Sequence, residues 1–142
     1  MSERFSIGMH TLIIDGYRIE QQLRGDYLLA HTVETLGLME QAIVKHGFAV
    51  TYVRVLEPGR HPGDARQYTA QWYKRLNPRG ASAVVGATPA MKLLTSLLIR
   101  AVNLLYKQNN PIAFFDHEVE ARAWLEEQVH RLRAAPPAAG AP

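Results

Sequence analysis

The chain has 142 residues, 47% of them hydrophobic and 20% charged, the size and balance of one globular domain with its own core. Its 16 Lys and Arg exceed its 13 Asp and Glu by 3, and no run gathers the five or six cations that track a phosphate backbone, so nucleic acid is not an expected partner. With no cysteine the chain has no disulfides, no thiolate nucleophile and no cysteine-held zinc, which fits the cytoplasm; no secretory leader and no apolar run of about 18 residues stands in the sequence, so no membrane association is expected.

Residues 1–8 read as a polar lead-in. Residues 10–14 hold the β-branched Thr11, Ile13 and Ile14 ahead of an Asp15-Gly16 turn signal, which predicts a strand. Tyr17, Ile19, Gln21 and Leu23 then alternate with Arg18, Glu20, Gln22 and Arg24, a period of two that predicts a second strand, ended by Gly25-Asp26. Over residues 28–46, Leu29, Val33, Leu36, Met39, Ile43 and Val44 recur at helical spacing, and Gly47 supplies the stop. Residues 48–56, rich in valine and aromatics, read as a buried strand running into the turn-forming Glu57-Pro58-Gly59-Arg60-His61-Pro62-Gly63.

Asp64 is placed to cap the next helix, with Gln67 as its capping-box partner and Tyr68, Trp72 and Leu76 as the buried stripe; Asn77-Pro78-Arg79-Gly80 closes it. Residues 82–86 form a short apolar strand, and Thr88-Pro89 provides the N-cap and first-turn proline of a helix reaching about residue 106. After the Asn109-Asn110-Pro111 turn, residues 112–115 predict a strand, and Asp116 is placed to cap a last helix whose Ala121, Trp124, Leu125, Val129 and Leu132 share one side. Residues 134–142 contain only Ala, Pro and Gly and predict a disordered tail, leaving the domain to residues 9–133. The order β-β-α-β-α-β-α-β-α predicts a single α/β domain with a mixed, mostly parallel sheet of about five strands and about four helices.

That order, together with Tyr52-Val53-Arg54-Val55-Leu56-Glu57, the helix opening Asp64-Ala65-Arg66, and Phe114-Phe115-Asp116 followed by Glu120-Ala121-Arg122-Ala123-Trp124-Leu125, resembles the STAS (anti-sigma-factor antagonist) family, in the form of a divergent bacterial STAS-like protein. The resemblance runs from His10 to Leu132 and implies a cytoplasmic regulatory domain that binds a protein partner or a second copy of itself and is not an enzyme. Phosphorylated members of that family carry a serine, within an Asp-Ser motif, at the N-terminus of the helix after the third strand. Here residues 56–66 hold no Ser or Thr, and the first hydroxyl, Thr69, falls inside the helix, so that switch is not expected.

Two groups of residues are candidate binding positions. Arg60, His61 and Arg66 surround the Pro-Gly loop at a strand's C-terminal end, where open α/β sheets bind ligands, and the Gly86-Ala87-Thr88 loop shares that edge. The alternative to an interaction domain is a small-ligand module or enzyme built there. Leu93, Leu97 and Leu104 flank the apolar side of the third crossover helix and are placed to meet a neighbouring helix, a second subunit or an amphiphilic ligand. His117-Glu118 does not continue into a zinc motif, because Ala121 occupies the second histidine's place. No catalytic residue, metal ligand or cofactor-binding residue is assigned.

Overall fold

Each of the first two turns places a glycine at a positive φ, Gly8 at 60° and Gly16 at 63°, at the first position of a two-residue loop, which matches the right-handed twist of the strands it joins. The structure is a computed structural model describing residues 2–106 and 110–134, apart from the side chains of residues 98, 99 and 101–106. The turns connect β1 (Ser2–Ile7), β2 (His10–Asp15) and β3 (Arg18–Arg24) into an antiparallel meander. After it come α1 (Leu29–His46), β4 (Ala49–Glu57), α2 (Gly63–Leu76), β5 (Gly80–Val85), α3 (Pro89–Tyr106), β6 (Ile112–Phe115) and α4 (Glu118–Ala134). The strands lie in sequence order across one sheet, with β3 to β6 mutually parallel, so the expected mixed α/β class is the observed one.

The sheet has six strands rather than about five, because residues 2–7 pair with β2 along their whole length instead of forming a lead-in. Phe5 and Ile7 alternate onto the face that packs against α1, and Ile7 is buried there, which supplies the reason for the extra strand. The helices cover the two faces unequally. Ile7, Leu12, Ile19, Leu36, Met39, Ile43 and Trp72 join α1 and α2 to one face. Phe48, Val50, Tyr52, Ala81 and Ala83 meet Ala121, Leu125, Val129 and Leu132 of α4 on the other. The small side chains of β5 let α4 lie close against the sheet.

The α2 and α4 stripes read from the sequence are the observed ones: Trp72 is buried with Tyr68 and Leu76 packed beside it, and Ala121, Leu125, Val129 and Leu132 are buried with Trp124 alongside. Of the expected α1 stripe, Leu36, Met39 and Ile43 are buried, but the buried face is rotated at its edge. Val33 and Val44 are 41% and 69% exposed, whereas Thr32 and Thr35 are buried in their place. The helix caps also differ in part. Asp64 is not the cap of α2; Pro62 holds that position, and the Asp64 carboxylate accepts the amide of Ala65 at 2.7 Å from inside the first turn. Asp116 likewise precedes the start of α4, where the Ala121 amide already donates to the His117 carbonyl. Thr88 caps α3 as expected, its Oγ accepting the Met91 amide at 3.2 Å. The tail from residue 135 onward lies outside the described residues.

Candidate functional site

The parallel strands β3, β4 and β5 end on the same edge of the sheet, so the segments leaving them meet there. The loop after β3 and the loop after β4 are bound to each other by backbone: the Gly25 amide donates to the Glu57 carbonyl at 2.9 Å, and the Tyr27 amide to the Arg60 carbonyl at 2.8 Å. The Asp26 carboxylate accepts the Arg60 amide at 2.8 Å and its guanidinium at 3.3 Å, and these bonds hold its pKa below the ordinary carboxylate value. Gly86 completes the edge at φ 90°, with its α-carbon so close to the Val55 carbonyl that a Cβ would stand 2.5 Å from that oxygen.

The sequence-predicted trio is therefore brought to one place, but its polar atoms face this chain. The Arg60 guanidinium pairs with Asp26 while remaining 81% exposed. His61 stacks on Tyr27 with ring centroids 5.0 Å apart, and its Nδ1 bonds the Tyr27 carbonyl at 2.9 Å. The Arg66 guanidinium donates back to the His61 carbonyl. Burial lowers the pKa of His61; its bond to the Tyr27 carbonyl opposes that shift and the charge of Arg66 adds to it.

Histidines absent from the expected trio complete the cluster. His10, the first residue of β2, is only 3% exposed and uses both ring nitrogens. Its Nδ1 accepts the Arg24 amide at 3.0 Å, which requires that nitrogen to be unprotonated, so Nε2–H is the donor to the Asp26 carbonyl at 2.8 Å. The His31 ring lies edge-on to His10 at 4.9 Å, and its Nδ1 accepts the Leu28 amide at 3.2 Å. The segment from Arg24 to Leu28 is thus bonded by the rings of three histidines that stand far apart in sequence.

Beneath these rings lies a buried polar pocket. The Tyr27 hydroxyl bonds the side chains of Thr35, Gln21 and Thr32, all three buried, and burial pushes its pKa up against the opposing pull of those bonds. This pocket explains the rotation of α1: Thr32 and Thr35 face inward because Tyr27 and Gln21 offer them partners. Thr32 also donates to the Leu28 carbonyl at 3.0 Å. A sequence signal for the cluster existed in the two threonines at a three-residue spacing within an otherwise apolar helix face.

At the start of α2 the Asp64 carboxylate accepts the Ala65 amide, and the Thr69 hydroxyl is bonded back to the Ala65 carbonyl at 3.0 Å. On α3, Leu93 and Leu97 are exposed together with Leu94. The side chain of Leu104, the third expected residue of that group, lies outside the described residues. Among the described residues no helix is long and apolar enough to cross a membrane.

No family model matches the chain, and no curated protein matches it. Among solved structures the chain is similar to the anti-sigma factor antagonist SpoIIAA in its unphosphorylated form, at 10% sequence identity over 95% of this chain and 100% of that one, with a TM-score of 0.47.

Proposed function

We propose that the chain is a non-enzymatic, regulatory protein-interaction domain, resembling STAS proteins but without their phosphorylatable serine, and that α3 carries its contact with a second copy or another protein. The observation behind this reading is the group Leu93, Leu94 and Leu97, exposed at 61%, 46% and 50% on a helix that packs against α2 and β6. A leucine moved from water into an interface contributes roughly 1.5–3 kcal/mol when fully buried, so three on one helix favour covering that side by association. The alternative of a ligand site around Arg60 and Gly86 draws less support, since Arg60 and Arg66 engage Asp26 and the His61 carbonyl within the chain.

Light-scattering mass of the wild type and of Leu97→Glu tests the proposal. A wild-type dimer that becomes a folded monomer in the variant supports it, because a charge at that position opposes burial of the leucine side. Monomers in both, with no protein recovered alongside the wild type at high concentration, would refute it.

A further inference from the structure

We propose that the β3–α1 loop is an acid-released latch, in which protonation of His10 breaks its bond to the Arg24 amide and frees the loop, together with the β4–α2 loop docked on it, from the edge of the sheet. The inference is independent of the reading of α3. It rests on His10 having neither ring nitrogen to spare. A proton added to the ring must go to Nδ1, where it would face the Arg24 N–H, donor against donor, at a separation of 3.0 Å. The His31 Nδ1 likewise accepts from backbone, the Leu28 amide at 3.2 Å, a second ring tie to the same segment. His61 differs: its Nδ1 can donate to the Tyr27 carbonyl whether or not the ring is charged, so acid leaves that tie in place and the β4–α2 loop stays docked on the freed segment.

The surroundings offer an imidazolium at position 10 little compensation. From β3 it meets the Arg24 backbone, and from the loop the Asp26 carbonyl and the Tyr27 ring at 5.4 Å. From α1 it meets His31, itself a base. The Asp26 carboxylate is engaged by Arg60 from the β4–α2 loop, and beyond Tyr27 stands His61, with Asp64 and Arg66 acting on it. In agreement with this geometry, burial lowers the pKa of His10, the Asp26 carbonyl opposes the shift, and His31 adds to it. Release exposes Tyr27 and the polar pocket of Gln21, Thr32 and Thr35 that its hydroxyl now closes, so acid converts a sealed edge into an open one.

Amide hydrogen exchange resolved by residue, expressed as protection factors at about pH 7.5 and about pH 5, tests the latch. Protection at Arg24, whose amide His10 holds, is expected to fall by about tenfold or more on acidification while Thr51 and Ala83 in the central strands hold theirs. In His10→Asn, whose side-chain oxygen accepts from the Arg24 amide and does not titrate, protection at Arg24 is expected to be the same at both pH values. Should that variant fail to fold, ring nitrogen chemical shifts of His10 in the wild type serve instead: the neutral ring must carry its proton on Nε2 and titrate in step with the lost protection. Unchanged protection in the wild type, an equal loss across all strands, a neutral ring protonated on Nδ1, or a full loss retained in His10→Asn would each overturn the proposal.

Discussion

Gly59 lies against the backbone of Gly25, so close that a Cβ on Gly59 would stand 2.1 Å from the Gly25 carbonyl carbon and 2.4 Å from the Asp26 nitrogen. The neighbour is main chain, already bonded from the Gly25 amide to Glu57, and cannot swing aside as a side chain tip would. Gly59→Ala therefore separates the two loops or strains both, at a cost of about 1–3 kcal/mol. Urea unfolding gives the cost, and a midpoint equal to wild type would show that the docking seen here yields freely.

Replacing His10 by alanine leaves two backbone groups at the partly buried sheet edge, the Arg24 amide and the Asp26 carbonyl, without their partner. A typical intramolecular hydrogen bond contributes about 0.5–1.5 kcal/mol net, so losing both is expected to destabilise His10→Ala by about 1–3 kcal/mol in addition to the lost packing of the ring. His10→Asn, which restores the acceptor toward Arg24, is expected to recover part of the loss in the same denaturation series.

Stability is expected to fall in two acid steps. His10 and His61 have lowered pKa values in the fold, so the unfolded chain binds more protons once pH drops below the ordinary histidine value of 6.5. Their contribution is complete above that value and is lost as pH falls from there through the lowered folded pKa values. Glu20, whose burial would raise its pKa but whose bonds from Gln22 and Arg122 bring it below the ordinary value, adds a second loss at lower pH. Thermal melts from neutral to acid conditions resolve the steps, and His10→Asn is expected to shrink the first and leave the second. A single step confined to the carboxylate range would contradict this assignment.

The α1–α2 contact turns on one indole. Trp72 is 3% exposed and donates Nε1 to Glu40 at 3.0 Å, while Arg75 closes on the same carboxylate at 2.6 Å. Trp72→Ala removes a large buried ring and is expected to cost about 3–5 kcal/mol, whereas Trp72→Phe keeps most of the contact and leaves Glu40 to Arg75, with a clearly smaller loss. Equal losses in the two variants would place the stability in the Glu40 bond instead of the packing.

The order of strands and helices from His10 onward was legible in the sequence because each element carries its own period. The alternation through Ile19 and Gln21, the Trp72 stripe of α2 and the Leu125 stripe of α4 are local facts of spacing, and hydrophobic burial follows spacing closely. The missing hydroxyl before α2 was equally plain, since it is a matter of residue identity. The strand Ser2–Ile7 escaped because an edge strand buries one face against one neighbour, and only Phe5 and Ile7 mark it.

The tertiary structure alone decided what gathers at the edge of the sheet. His10, His31 and His61 come from a strand, a helix and a loop, and each binds backbone of the segment between Arg24 and Leu28. No local period brings them together, because a buried polar side chain is tolerated only where a distant segment supplies its partner. The same rule turned α1, whose valines at 33 and 44 promised one buried face until Tyr27 and Gln21 provided bonds for Thr32 and Thr35 on another. Apolar burial is written into the spacing of a segment, whereas polar burial depends on a contact between segments, and only the folded chain makes that contact.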